Sequence, residues 1–152
     1  MLTKLRKSQT EGFTIIEVMI VLAVAALILL IVLLAVPALQ RNARNTTVKN
    51  DVGTVAGAIN TSESDNNGTP PTSVSGTGTV TLANGTSETI KVSGGDTVSN
   101  VVATGAAPAS VPVGNITVFD GHTCAGAANP RAFALYYSTE TSGATALQCT
   151  DS

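Results

Sequence analysis

Charged side chains are scarce in this sequence, 12% of 152 residues against the ~25% usual for a globular domain. Tryptophan is absent, aromatic residues make up 3%, and the chain has one histidine and two cysteines. Each shortage excludes something. With a formal net charge of −2 and a pI near 5.2, the chain as a whole is not built to neutralise phosphate backbones, and nucleic acid is a possible but not an indicated partner. No Ser sits in a nucleophile-elbow setting, and no glycine-rich phosphate loop follows a strand, because Ser93-Gly94-Gly95-Asp96 reads as a turn. Asp120-Gly121-His122-Thr123-Cys124 could begin a metal site or a Cys–His nucleophile pair. His122 stands alone, however, and Gly121 suggests a turn there. The expectation is no catalytic residue, no metal and no cofactor.

What the chain does have is one long apolar run. Val18 to Leu39 is 22 residues, of which 21 are hydrophobic and one is Pro37. At ~1.5 Å per residue it spans roughly 33 Å, close to the ~30 Å of a bilayer's hydrocarbon layer. A secretory signal peptide would have a shorter core, ~7–15 residues, ending at a small-x-small cleavage site. Lys4, Arg6 and Lys7 precede the run, and Arg41, Arg44 and Lys49 follow it. With equal basic charge on both sides, charge counting does not decide the orientation, although the short basic arm favours a cytoplasmic N-terminus. One residue breaks the apolar pattern at its start. Glu17 is a carboxylate whose burial in lipid costs on the order of 2.5–3.5 kcal/mol, so it either marks the membrane edge or has a partner.

A basic leader, Met1 to Gly12, followed by Phe13-Thr14-Ile15-Ile16-Glu17-Val18-Met19-Ile20-Val21 and an apolar helix, resembles the prepilin signature of the type IV pilin family. The likeness runs from about Lys4 to Arg44. It implies cleavage between Gly12 and Phe13 by a membrane prepilin peptidase, with N-methylation of Phe13. It also implies that Glu17 pairs with the Phe13 amine of an adjacent subunit and so sets the assembly register. The implied partners are a homopolymer of pilin subunits, the peptidase, and an inner-membrane assembly platform with its ATPase machinery. Localisation follows: the cytoplasmic membrane before assembly, then an extracellular surface pilus. Two positions depart from the family pattern, since its helix-kinking Pro usually falls near Leu34 rather than at Pro37, and Gly is common where Ala26 stands. A helix kink or melted stretch is still expected at Pro37, which lacks an N–H and crowds the preceding turn.

Beyond Pro37, Val48, Val52, Val55 and Ile59 make a narrow apolar stripe at helical spacing. Residues 51–152 hold 17 Thr, 11 Ser and 13 Gly, and their apolar residues alternate as in strands. Val80 and Leu82 before Asn84-Gly85, with Ile90 and Val92 after it, predict a hairpin. Val111, Val113, Ile116 and Val118 predict an extended segment with a bulge at Gly114. The stretches 132–137 and 145–149 bracket a second turn. Cys124 and Cys149 predict a disulfide outside the cytoplasm, with free thiols or a metal pair as alternatives; many type IV pilins resemble this in having a C-terminal disulfide-bounded loop. Asn45, Asn60, Asn67, Asn84 and Asn115 begin N-x-Ser/Thr triplets, a weak glycosylation signal in so Ser- and Thr-rich a chain.

The expected fold class is α+β: a long N-terminal helix, transmembrane in its first half, packed by its second half on a small antiparallel sheet. The expected organisation is a cleaved leader at 1–12, a transmembrane and polymerisation helix at 13–39, a helix extension at 40–62 and a β-rich head at 63–152. The function this predicts is a structural pilus subunit. A minor pilin or type II secretion pseudopilin is the alternative, with a membrane-anchored adhesion module behind it and an enzyme last.

Overall fold

The computed structural model describes residues 12–84, 86–93, 96–101 and 107–151. Its contacts divide the chain into a unit ending at Leu39 and a unit beginning at Gln40. One helix, α1 (Ile15–Asp65), runs through both and stays helical across Pro37, so no melted stretch interrupts it. The helix stops in a turn that holds Asn67 at φ 55° and Gly68 at φ 77°. The Gly68 amide donates to the Glu63 carbonyl over 2.8 Å, which satisfies a carbonyl the helix end would otherwise leave bare.

In the first unit every large apolar side chain from Phe13 to Leu39 is exposed. The second unit is built differently. Its strands are β1 (Ser73–Thr77), β2 (Thr79–Asn84), β3 (Thr86–Lys91), β4 (Thr97–Val101), β5 (Asn115–His122), β6 (Ala128–Glu140) and β7 (Thr145–Asp151). They form one sheet in the order β3-β2-β1-β4-β5-β6-β7. The hairpin expected around Asn84-Gly85 is β2–β3, with Val80 opposite Ile90; Gly85 itself lies outside the described residues. The hairpin expected after Tyr137 is β6–β7, with Tyr136 opposite Cys149.

The sheet is antiparallel except at one seam. β4 and β5 run parallel, Val98 opposite Ile116. A parallel pair needs a connection of a dozen or so residues rather than a tight turn, and the stretch 102–114 supplies it. The extended segment read from Val111 onward is a strand only from Asn115. Gly114, expected as a bulge, lies outside the strand at φ 82°, in a turn where the Asn115 amide donates to the Pro112 carbonyl. The register shift falls instead between Asp120 and His122, around Gly121.

The core sits between α1 and one face of the sheet. Val48, Val52, Val55 and Ile59, the stripe read from spacing, pack with Val74, Val80, Leu82, Val98, Ile116, Val118, Phe133, Leu135 and Tyr137. Strand alternation sends Ala134 and Tyr136 to the opposite face, where they meet Val111 and Phe119 in a second, smaller cluster. There the Phe119 and Tyr136 rings meet edge to face with centroids 5.3 Å apart, a favoured aromatic geometry. From Ala132 to Thr139, β6 is therefore buried on both faces, whereas its first four residues are exposed.

Candidate functional site

Of the residues singled out by sequence, Gly12, Phe13 and Glu17 lie at the start of α1, where Phe13 and Glu17 line one hollow with Val18, Val21 and Leu22. Phe13 precedes the first helical residue, and its place beside Val18 is that of a hydrophobic staple at the helix entry. Glu17 is held by Thr14. Its Oε2 accepts from the Thr14 amide over 2.8 Å and from the Thr14 hydroxyl over 2.7 Å. The Glu17 amide donates back to Thr14 Oγ1 over 3.4 Å. Thr14-Ile15-Ile16-Glu17 is thus a capping box, in which a Thr and a Glu three residues on satisfy amides at the helix start. The Thr-x-x-Glu spacing is the sequence signal that could have found it. Both contacts from Thr14 converge on one oxygen, which leaves Oε1 as the second acceptor.

Gly12 precedes the helix and is exposed, and a Cβ built there would meet nothing within 4 Å. The fold therefore makes no demand for glycine at this position. Met1 to Glu11, including Lys4, Arg6 and Lys7 of the basic leader, lie outside the described residues.

α1 is long and apolar enough to cross a membrane, and none of its most apolar window is buried within the protein. A core helix of a soluble domain would have that window covered. Further along, the same helix is fastened to the sheet. Arg44 grips Glu140 through two parallel bonds, Nε to Oε1 at 2.8 Å and Nη2 to Oε2 at 2.6 Å. Asn45 donates to the Glu140 carbonyl over 2.8 Å and accepts from its amide over 2.7 Å. This clamp is a second feature that sequence reasoning missed, because its partners are 95 and 96 positions apart. Asn45 begins one of the N-x-Thr triplets, yet its side-chain amide is committed to this clamp. The Arg44 guanidinium holds the Glu140 carboxyl below its ordinary value.

Cys124 and Cys149 form a disulfide with a Cα–Cα distance of 5.8 Å. Asp151 stands beside the bridge, and its Oδ1 accepts from the Cys124 amide over 2.5 Å. The two sulfurs and this carboxylate are close enough to suggest a metal site. Sulfurs bonded to each other are not thiolate donors, so the cluster does not have the ligands a metal needs. The Asp120–His122–Cys124 constellation is likewise not assembled for chemistry. His122 Nδ1 lies 3.3 Å from the Asp120 carbonyl, and Cys124 is spent in the bridge. Burial raises the Asp120 carboxyl above its ordinary value.

The geometry defines an α+β protein with an apolar N-terminal helix, a capped carboxylate at its start and a seven-stranded head. Residues 7–33 match the family model of the prokaryotic N-terminal methylation motif, the type IV pilin and prepilin leader signature. The matched stretch contains the Gly12–Phe13 junction and Glu17. The likeness, over 27 of the 152 residues, is to the leader carried by type IV pilin-like and pseudopilin precursors. No curated protein and no solved structure gives a significant match to the chain.

Proposed function

We propose that the chain is a filament-forming pilin subunit, displayed on the cell surface after assembly from the membrane. Cleavage between Gly12 and Phe13 turns the Phe13 peptide nitrogen into an amine, and N-methylation follows on that nitrogen. The observation that carries this reading is the exposed apolar helix of the first unit with its single carboxylate, Glu17, inside the matched motif. In lipid that apolar surface is an anchor. In a bundle of identical helices the same surface is a polymer spine, and an unpaired carboxylate there would be costly. Glu17 accepts the Phe13 amine of an adjacent subunit at Oε1 while Thr14 keeps Oε2, so one hydrogen-bonded pair fixes the axial register. Gly12 serves the peptidase, which accords with a fold that makes no demand for glycine there. Pro37 permits a bend in the helix by withholding one backbone donor. The assembly platform and its ATPase extract the mature subunit, and the β-rich head is what the filament presents for adhesion, motility or uptake.

The test is Glu17→Ala. The variant should be cleaved and should enter the membrane as the parent does, with surface filaments lost or much reduced. Filaments in normal yield would overturn the register role.

A further inference from the structure

The helix–sheet junction contains two carboxyl groups that the assembly role does not use. Asp51 lies on α1 between Val48 and Val52, in the face that packs on the sheet, and is only 3% exposed. Its Oδ2 accepts from the Ser93 amide over 2.8 Å, and the Asp96 amide donates to the Ser93 carbonyl over 3.2 Å. The Asp96 side chain stands against the Asp51 carboxyl, and its Oδ2 is buried without a hydrogen-bond partner. A buried polar oxygen left bare is costly, and two adjacent carboxylates repel. One proton placed on Asp96 resolves both problems, since it turns the repulsion into a carboxyl–carboxylate hydrogen bond.

We propose that a proton held on Asp96 bridges it to Asp51 and fastens Ser93 and Asp96 to helix α1 in mildly acidic surroundings, and that this fastening is released as the pH rises. The charged surroundings support the assignment. From α1, Asp51 faces Asp96, and Arg44, which lines a cleft with Asp96, is committed to Glu140. From the far side of the same cleft come Val113 and Gly114, which carry no charge. No free cation therefore offsets the pair among the described residues lining that cleft. Burial, and then the Asp51 carboxyl, push Asp96 up to about 6 from the ordinary 3.8.

The sign of the effect follows from proton linkage. The folded state keeps the Asp96 proton over a range where the unfolded chain has lost it. The added stability is complete below about pH 4 and is lost as the pH climbs through about 6.

The experiment is a carbon-13 titration of the side-chain carboxyls in the full chain in detergent micelles, with Asp96 assigned through its backbone. Melting curves at several pH values accompany it. Asp96 should titrate near pH 6, and the melting temperature should fall by several degrees between pH 5 and pH 7.5. In Asp96→Asn, which keeps a donor but cannot titrate, that fall should vanish. An Asp96 that titrates in the ordinary range near pH 4 would overturn the proposal from the wild-type protein alone. Parallel melting profiles for the two proteins would do the same.

Discussion

The two units of the molecule treat the same kind of side chain in opposite ways. From Ile15 to Leu39 the helix carries Ile, Leu and Val that touch little of their own chain, whereas from Val48 to Ile59 it carries fewer apolar residues and buries them. Leu34 is 72% exposed and Ile59 is 0% exposed, although both sit in one helix. Helix propensity does not separate them; the surroundings do. The second unit stabilises its half of α1 by burial at roughly 25 cal/mol per Å² of apolar surface. Among the described residues the first unit has no such partner, and its apolar surface needs a solvent other than water. Its stability as an ordered, soluble surface is therefore a property of lipid or of neighbouring copies.

That contrast can be broken by substitution. Ile59→Ala should have the largest effect, destabilising the head by about 2–5 kcal/mol, because the cavity lies in a packed core. Removing the disulfide with Cys124→Ser should cost roughly 3–4 kcal/mol in the chain-entropy model for a loop of this size. Thermal unfolding of the mature chain in detergent measures both. A smaller effect should come from acid. Glu140 is held below its ordinary value of 4.5 by Arg44, so the clamp's contribution is present above that pH and fades as the pH falls below it. Arg44→Ala should remove this acid sensitivity. The smallest effect belongs to the first unit. Leu29→Ala should leave the melting temperature of the head unchanged, and a loss comparable to that of Ile59→Ala would mean that the two units are not independent.

Much of the fold was legible because its signals are local. The stripe Val48, Val52, Val55 and Ile59 needed only helical periodicity, and the β2–β3 hairpin needed only alternation around Asn84-Gly85. The cysteine pair needed only its number and compartment. What escaped was set by distant partners. β1 has one Val, Val74, among Ser, Gly and Thr, and β4 sets its two Val three apart, so neither shows enough alternation to announce a strand. They are strands because neighbouring strands complete their ladders. Gly114 could equally have served a bulge or a turn, and the conformation that Asn115 and Pro112 impose decided for the turn. Asp51 looks like one more polar residue between Asn50 and Val52, and only the fold shows that it is buried. At the candidate site the Glu17 anomaly is plain in the sequence, and its capping role with Thr14 is equally local, carried by a three-residue spacing that the apolar run overshadows.

If the apolar helix of the first unit is exposed because it serves first as a membrane anchor and then, after processing, as a polymer spine, the N-terminus of the assembled chain must record that processing. Mass analysis of the N-terminal peptide, taken from fibres sheared off the native cell surface, tests this most directly. The account predicts a chain in that fraction beginning at N-methylated Phe13. A chain still carrying Met1 to Gly12, or one found solely in the membrane and never in the sheared fibres, would contradict it.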